Sequence, residues 1–242
     1  MEIQGKLALV TGGSARIGAA CVRALSRAGA RVVVHCHRAA TPASALCDDI
    51  RSAGGQAWPL VADLSDPGVV DALISRIVTD WGPLHILVNN AAIFEPCSIP
   101  GATWDNWNRH LAINLSAPFF LMSHFVRQIS PEGAGKVINL IDQRVLRPGP
   151  GHASYTAAKS ALWSLTRLAA VELAPRVQVN AIGPGVILPA AQDDEFTYAA
   201  LVRSLPMQRP GRLTEITDAL LFLLGNDYVT GQMLCIDGGQ HL

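Results

Sequence analysis

Seven short apolar runs recur along the chain, separated by longer stretches with helical patterning. They are Leu7–Thr11, Arg31–Cys36, Ala57–Ala62, His85–Asn89, Lys136–Ile141, Val177–Ala181 and Met233–Ile236. Strands joined by such long segments cannot pair as tight hairpins, whereas parallel strands need a helical crossover between them. A parallel sheet is covered on both faces, so its strands read as nearly continuous apolar runs. The alternation therefore predicts an α/β fold: a doubly wound parallel sheet with helices on both faces. No linker, low-complexity tract or internal repeat interrupts the pattern. One domain spanning residues 1–242 is the economical reading. The Gly/Pro-rich break at Arg147–Gly151 is too short to divide domains. Ile182–Arg212 reads as a long irregular excursion, with a substrate-side loop at residues 184–212. Such excursions often form lids.

Composition narrows the class of function. Half the residues are hydrophobic, 16% are charged, and the 19 Lys+Arg balance the 19 Asp+Glu. A neutral chain of this kind lacks the basic surface of a general nucleic-acid binder and the charge for electrostatic membrane attachment. No apolar run reaches the length of a membrane span, and the N-terminal MEIQGKLALVTGG reads as a strand entering a turn, not a signal peptide. The five cysteines, Cys21, Cys36, Cys47, Cys97 and Cys235, are scattered without a CxxC pair. Reduced, buried thiols in a cytoplasmic protein are expected, with no metal site.

The first run leads into a glycine turn, GGSARIG, and then a helix. Gly12, Gly13 and Gly18 permit tight turning and close approach of backbone N–H groups to a pyrophosphate at the helix start, alongside Ser14, Arg16 and Ile17. An ordinary strand-to-helix turn has the same composition. The second run ends in HCHR, without the carboxylate that usually binds the ribose hydroxyls of NAD. His37 and Arg38 stand there instead, and a cation suits a 2′-phosphate, so NADPH is favoured as cofactor; Arg38 as a solvated surface charge is the alternative. His35 and His37 alternate on a strand, yet no further metal ligands gather near them. Asp63, followed by Leu64, either accepts a hydrogen bond from an adenine amino group or caps the next helix. Asn89 and Asn90, before Ala91, either brace the cofactor loop or form a turn.

Tyr155 and Lys159 lie four residues apart in the helix-favouring run SYTAAKSALWSLTRLAAVELA, which places them on one face. An ammonium there favours the phenolate and eases proton release. Asp142, thirteen residues before the tyrosine, ends the strand KVINLI.

Taken in order, TGGSARIG, Asp63–Leu64, NNAA, Asn114 in HLAINLSAPFF, YTAAK, NAIGPG and YVTGQMLCIDGG resemble the short-chain dehydrogenase/reductase family over nearly the whole chain. The resemblance implies a Rossmann-type seven-stranded sheet, hydride transfer with NAD(P), and usually a homotetramer. In it Tyr155 would donate the proton, and Lys159 would bind the nicotinamide ribose and lower the tyrosine pKa. Asn114 would stabilise a helix bend and a relay water. The cofactor-binding set it implies includes Gly12, Ser14, Arg16, Ile17, Asn90, Ala91, Pro184, Gly185 and Val186. Two departures resemble the pteridine reductase branch, including dihydromonapterin reductases: Arg16 where most members have glycine, and Asp142 where most have a carbonyl-binding serine. The HCHR segment, the Val177–Leu188 pattern and Phe94 match that branch too. Phe94 there sandwiches the pterin against the nicotinamide; ordinary core packing competes. Arg16 would reach the pyrophosphate and the substrate edge, and Leu188 would line the substrate site. Ala92 replaces a serine of the parasite enzymes, which bears on one substrate hydrogen bond.

Reducing a pterin C=N bond requires a proton on ring nitrogen as hydride reaches carbon, and a carboxylic acid beside Tyr155 can help deliver it. Asp142 and Tyr155 as a proton relay is the leading reading, against Asp142 as a turn cap. The substrate is then a small dihydropterin. A ketone or 3-oxoacyl reductase is the second reading, and a non-catalytic NADP(H)-binding sensor the third. In the substrate-side loop, Leu188, Tyr198, Leu201 and Met207 are expected to form an apolar wall, and Asp193, Asp194 and Glu195 a solvated helix start.

Overall fold

The computed structural model describes residues 1–38, 40–189 and 195–242, without the side chains of 195–197. The elements run β1 (Leu7–Val10), α1 (Arg16–Arg27), β2 (Arg31–Cys36), α2 (Ala40–Ser52), β3 (Gln56–Val61), α3 (Pro67–Trp81) and β4 (Leu84–Asn89). The chain continues through α4 (Trp104–Leu111), a π-helical turn (Ala112–Ser116), α5 (Ala117–Arg127), β5 (Gly135–Leu140), a 3-10 turn (Gln143–Val145) and α6 (Ala153–Leu173). It ends with β6 (Val177–Pro184), α7 (Glu195–Ser204), α8 (Leu213–Gly225) and β7 (Met233–Ile236). Every strand pairing is parallel, and the seven strands lie in the order β3-β2-β1-β4-β5-β6-β7. This is the doubly wound Rossmann-type sheet expected from the alternation.

Strand side chains alternate between faces, and the core divides accordingly. Ala8 and Val10 of β1 pack with α1, α2 and α8 through residues such as Leu25, Leu46 and Leu220. Leu7 and Leu9 pack on the opposite face with α3 and α5 through Ile74, Ile77, Leu121 and Phe125. All four β1 side chains are wholly buried, which is why LALV carries no polar residue.

The order reverses at β1, whose neighbours β2 and β4 continue in opposite directions. The loops after β1 and β4 therefore separate and leave a crevice beyond the strand ends, where ligands bind in open α/β sheets. Two expectations change here. The supposedly irregular stretch from Ile182 begins as strand: β6 runs on to Pro184 because Gly183 and Pro184 pair with Cys235 and Ile236 of β7. It also contains α7. The expected acidic helix start lies outside the described residues at 193 and 194 and at the Glu195 side chain.

Candidate active site

The glycine turn follows directly from β1. Gly12 has a φ of 60°, and a Cβ at Gly18 would lie 2.1 Å from the Gly12 carbonyl oxygen, so only glycine fits. α1 carries no acidic residue in its first turn, which leaves its positive end without a carboxylate of its own. Arg16, the first residue of α1, has a φ of 51°. It adopts a left-handed conformation natural to glycine, and its guanidinium donates to the Pro189 carbonyl at 2.8 Å.

A hydrogen-bond frame holds this turn against the neighbouring strands. Gly12 N–H donates to His35 Nδ1 at 3.0 Å, so His35 Nε2 carries the proton that reaches the Ala62 carbonyl at 3.0 Å. Burial lowers the His35 pKa, which keeps this neutral tautomer. Asn90 donates through Nδ2 to the carbonyls of Thr11 (2.8 Å) and Gly12 (3.0 Å). The Thr11 hydroxyl accepts from Asn90 N–H and Ala91 N–H, each at 3.0 Å. Asn90 thus braces the loop. Asn89 is instead buried and donates to Asn139 at 2.8 Å.

A cleft of about 380 Å3 opens beside the turn, lined by Gly12, Arg16, Ile17, Asp63, Leu64 and Asn90 among others. His37 also borders it and sits 3.2 Å from Asp63. Hydrogen bonds from Ser65 hydroxyl and N–H, then from His37, hold the Asp63 pKa down at about 2. The helix-cap alternative for Asp63 is wrong: Asp66 caps α3, accepting from Gly68 and Val69 N–H, with Pro67 following it. Ser14 and Arg38 do not line either cleft, and Arg38 is exposed.

A second cleft, of about 460 Å3, adjoins the first and shares Arg16, Ile17 and Asn90 with it. Asp142, Tyr155 and Lys159 converge here, with Phe94, Pro184, Gly185, Val186 and Leu188. Tyr155 OH donates to Asp142 Oδ2 at 2.9 Å. The other oxygen of the same carboxyl accepts from Arg144 N–H at 2.8 Å and caps the 3-10 turn. Turn cap and tyrosine partner are therefore one residue, with one oxygen for each task. Lys159 Nζ donates to the Leu140 carbonyl at 2.6 Å and lies 5.9 Å from the Tyr155 ring centroid.

The electrostatics correct one expectation. Tyr155 is not eased toward phenolate: burial, then the adjacent Asp142 carboxyl, raise its pKa well above 10.0. Burial outweighs every hydrogen bond to Asp142 and raises its pKa as well. Burial lowers Lys159 to about 8, against the opposing pull of Asp142. Burial thus favours the uncharged form of each of the three groups, while the Asp142 carboxyl and the Lys159 ammonium favour each other's charge.

Asn114 does not line either cleft. It is wholly buried in the π-helical turn, and its amide bonds both the N–H and the carbonyl of Ile93 at 2.9 Å. Phe94 lines the cleft, but His152 stacks on one of its faces with centroids 4.0 Å apart and planes 4° apart, while Tyr155 meets it edge-on at 4.7 Å. Leu188, Tyr198 and Leu201 line the cleft as expected. Met207 does not; it packs against Gly238 of the C-terminal turn. Sequence reasoning missed His35 as a brace, and Gln143, Arg144, His152 and Gln240 as lining residues. For Gln143 and Arg144 the signal was their position just after Asp142; Gln240 is distant in sequence and gave none. Among the described residues no group of side chains could hold a metal, and no helix is long and apolar enough to cross a membrane.

Comparison with known proteins agrees with this architecture. A family model described as enoyl-(acyl carrier protein) reductase matches residues 13–241. The 3-oxoacyl-[acyl-carrier-protein] reductase of Synechocystis sp. is 30% identical, covering 98% of both chains. The crystal structure of FolM alternative dihydrofolate reductase 1 from Brucella canis, complexed with NADP, is 38% identical with a TM-score of 0.95, covering 99% of this chain and 95% of that one. A blue fluorescent protein from a metagenomic library, in complex with NADPH, is 34% identical with a TM-score of 0.91, covering 99% of both. On this coverage, the chain belongs to the short-chain dehydrogenase/reductase family.

Proposed function

We propose that the protein is an NADPH-dependent pteridine reductase that converts a dihydropterin of the dihydrobiopterin or dihydromonapterin type to its tetrahydro form. The observation that carries this reading is the 2.9 Å hydrogen bond between Tyr155 OH and Asp142 in the second cleft. A ketone reductase needs a hydroxyl donor to its carbonyl oxygen; a C=N reductase needs an acid for a ring nitrogen. Burial raises the Asp142 pKa, so its carboxyl keeps a proton to higher pH than an exposed one.

The glycine turn and α1 fit a nucleotide pyrophosphate, and the fit rests on the cradle that a Cβ at Gly18 would fill. NADPH, when bound, supplies the hydride for the ring carbon. Gly12, Ile17, Asn90 and Ala91 position the dinucleotide; Ser14, His37 and Arg38 lie on its phosphate side. Pro184, Gly185, Val186 and Lys159 hold the nicotinamide half. Asp142 and Tyr155 together deliver one proton to ring nitrogen, and Asp142 recovers it from solvent. Asn114 fixes Ile93 and, through it, the approach of Phe94. The exposed position of Arg38 suits a 2′-phosphate ligand. Arg38→Asp is expected to weaken NADPH binding relative to NADH in a fluorescence titration; unchanged affinity for both would remove Arg38 from the cofactor argument. We also propose a cytoplasmic homotetramer.

The likeness to the NADP-bound Brucella protein supports the pterin reading, and the name of the Synechocystis relative favours the 3-oxoacyl alternative. The deciding experiment follows NADPH oxidation with dihydrobiopterin, dihydromonapterin, dihydrofolate, biopterin and a 3-oxoacyl substrate. Turnover confined to the dihydropterins is expected. Turnover of the 3-oxoacyl compound alone would establish the alternative, and NADPH binding with no turnover of any of them would favour a sensor.

A further inference from the structure

The second cleft contains two side chains that its acid–base cluster does not use. Gln143 follows Asp142 directly, is 5% exposed, and lines the cleft. Its Oε1 is buried and has no hydrogen-bond partner among the described residues. Gln240 reaches the same cleft from the C-terminal turn, and its Oε1 is likewise buried without a partner there. Gly185 makes room for it, since a Cβ at that position would lie 2.8 Å from this oxygen.

Three neighbouring polar groups are already engaged. Both Asp142 oxygens accept hydrogen bonds, Lys159 holds the Leu140 carbonyl, and Arg16 holds the Pro189 carbonyl. Beside the Arg144 guanidinium, the cleft can offer a ligand two glutamine side chains from distant parts of the chain, whose oxygens have no partner among the described residues and can turn toward it. A buried acceptor left unpaired costs about 1–3 kcal/mol. A ring bearing N–H groups can satisfy both. A ketone, whose reacting centre presents only an acceptor oxygen, satisfies neither.

We propose that Gln143 and Gln240 are substrate-binding residues that accept hydrogen bonds from N–H groups of the substrate ring, and so select donor-bearing heterocycles over carbonyl compounds. The assignment builds on the pterin reading but concerns binding rather than reduction, and the two can fail separately. Neither glutamine takes part in proton delivery, which belongs to Asp142 and Tyr155.

The test replaces the acceptors one at a time, as Gln143→Leu and Gln240→Leu, with Gln143→Glu as the variant that keeps an oxygen in place. Circular dichroism melts establish that each variant folds. For the wild type and each variant, KM and kcat are measured for dihydrobiopterin and for a small diketone. The Kd of oxidised biopterin for the NADP-loaded enzyme is measured by fluorescence quenching. Each leucine variant is expected to raise the dihydrobiopterin KM, relative to the diketone KM, by roughly 10-fold to 100-fold, the range for a buried hydrogen bond lost. The biopterin Kd should rise in step, the Kd for NADPH should stay unchanged, and Gln143→Glu should recover most of the loss. Equal KM changes for both substrates, or none in either leucine variant, would overturn the proposal. If the wild type reduces no dihydropterin yet binds biopterin, and the leucine variants weaken that binding, the glutamine assignment stands while the reductase reading falls. A wild type that binds no pterin overturns both.

Discussion

At the scale of single residues, the site turns on where protons rest. Asp142 holds its proton to higher pH in the folded chain than in the unfolded one, because burial disfavours the carboxylate. As pH rises above the ordinary carboxyl range, the folded state therefore loses stability from this residue. Asp142→Asn removes the ionisation and keeps an oxygen for Arg144 N–H or Tyr155 OH. It should melt higher than the wild type, by a margin that widens as pH rises out of the carboxyl range; a constant margin in a melting series would contradict the burial argument. The same variant should lose about 100-fold in kcat/KM for a dihydropterin, together with the fall in rate that accompanies Asp142 ionisation. Lys159 has the opposite sign. Its pKa is about 8 when folded and 10.5 ordinarily, so the unfolded chain binds the extra proton and stability rises with pH across that interval. Lys159→Met should abolish that rise in thermal melts while removing activity; a rise of undiminished size would assign it to another group. The Tyr155–Lys159 pair was legible from its spacing, whereas the weight on Asp142 came from the family resemblance, in which most members have serine at that position. The direction of the tyrosine shift was not legible, because one helical turn shows the ammonium but not the burial or the carboxyl that outweigh it.

At the scale of elements, the strands were legible because burial on both faces leaves little room for polar residues, as in LALV and the VVV of β2; His35 is buried with both ring nitrogens paired. The end of β6 was not legible, since glycine and proline read as breakers, yet Gly183 and Pro184 pair with β7 at the sheet margin. Of the two readings left open for Asp63, the cap of α3 falls three residues later for a local reason. Asp63 is held by Ser65 and His37, while Asp66 precedes the proline that begins the helix. The turn between β1 and α1 makes the sharpest element-level prediction. Gly18→Ala drives a Cβ into the Gly12 carbonyl at 2.1 Å and toward Asn90 at 2.6 Å, so the turn must shift. It should lower the melting temperature and abolish measurable NADPH binding. Gly225→Ala, where a Cβ meets nothing within 4 Å, is the matched control and should change neither. NADPH binding retained by Gly18→Ala would mean that the turn does not cradle the phosphates.

At the scale of the whole molecule, the helical faces expose more apolar surface than an isolated subunit needs. Phe119 and Phe120 on α5, Leu168 and Val171 on α6, and Phe222 on α8 are all exposed, Val171 by 82%. Exposed apolar patches mark contact surfaces, and with no net charge the association should depend little on salt. Light scattering is expected to give a mass four times 25.7 kDa at low and high salt; a monomer would leave these faces without a purpose. The parallel, doubly covered sheet could be anticipated from the alternation of runs, but the glutamines of the second cleft could not. The cleft is assembled from the loops after β4, β5 and β6 and from the C-terminal turn, and only the folded chain adds Gln143 and Gln240 to Phe94 and Leu188. Its substrate preference separates a pterin reductase from a carbonyl reductase. The most direct measurement is kcat/KM for dihydrobiopterin divided by that for a 3-oxoacyl substrate, in the wild type and in Asp142→Ser. A dihydropterin reductase gives a ratio well above one that falls about 100-fold in the variant, as general acid catalysis is lost and a carbonyl-binding hydroxyl is gained. A ratio below one in the wild type, or the same ratio in both proteins, would contradict the pterin reading.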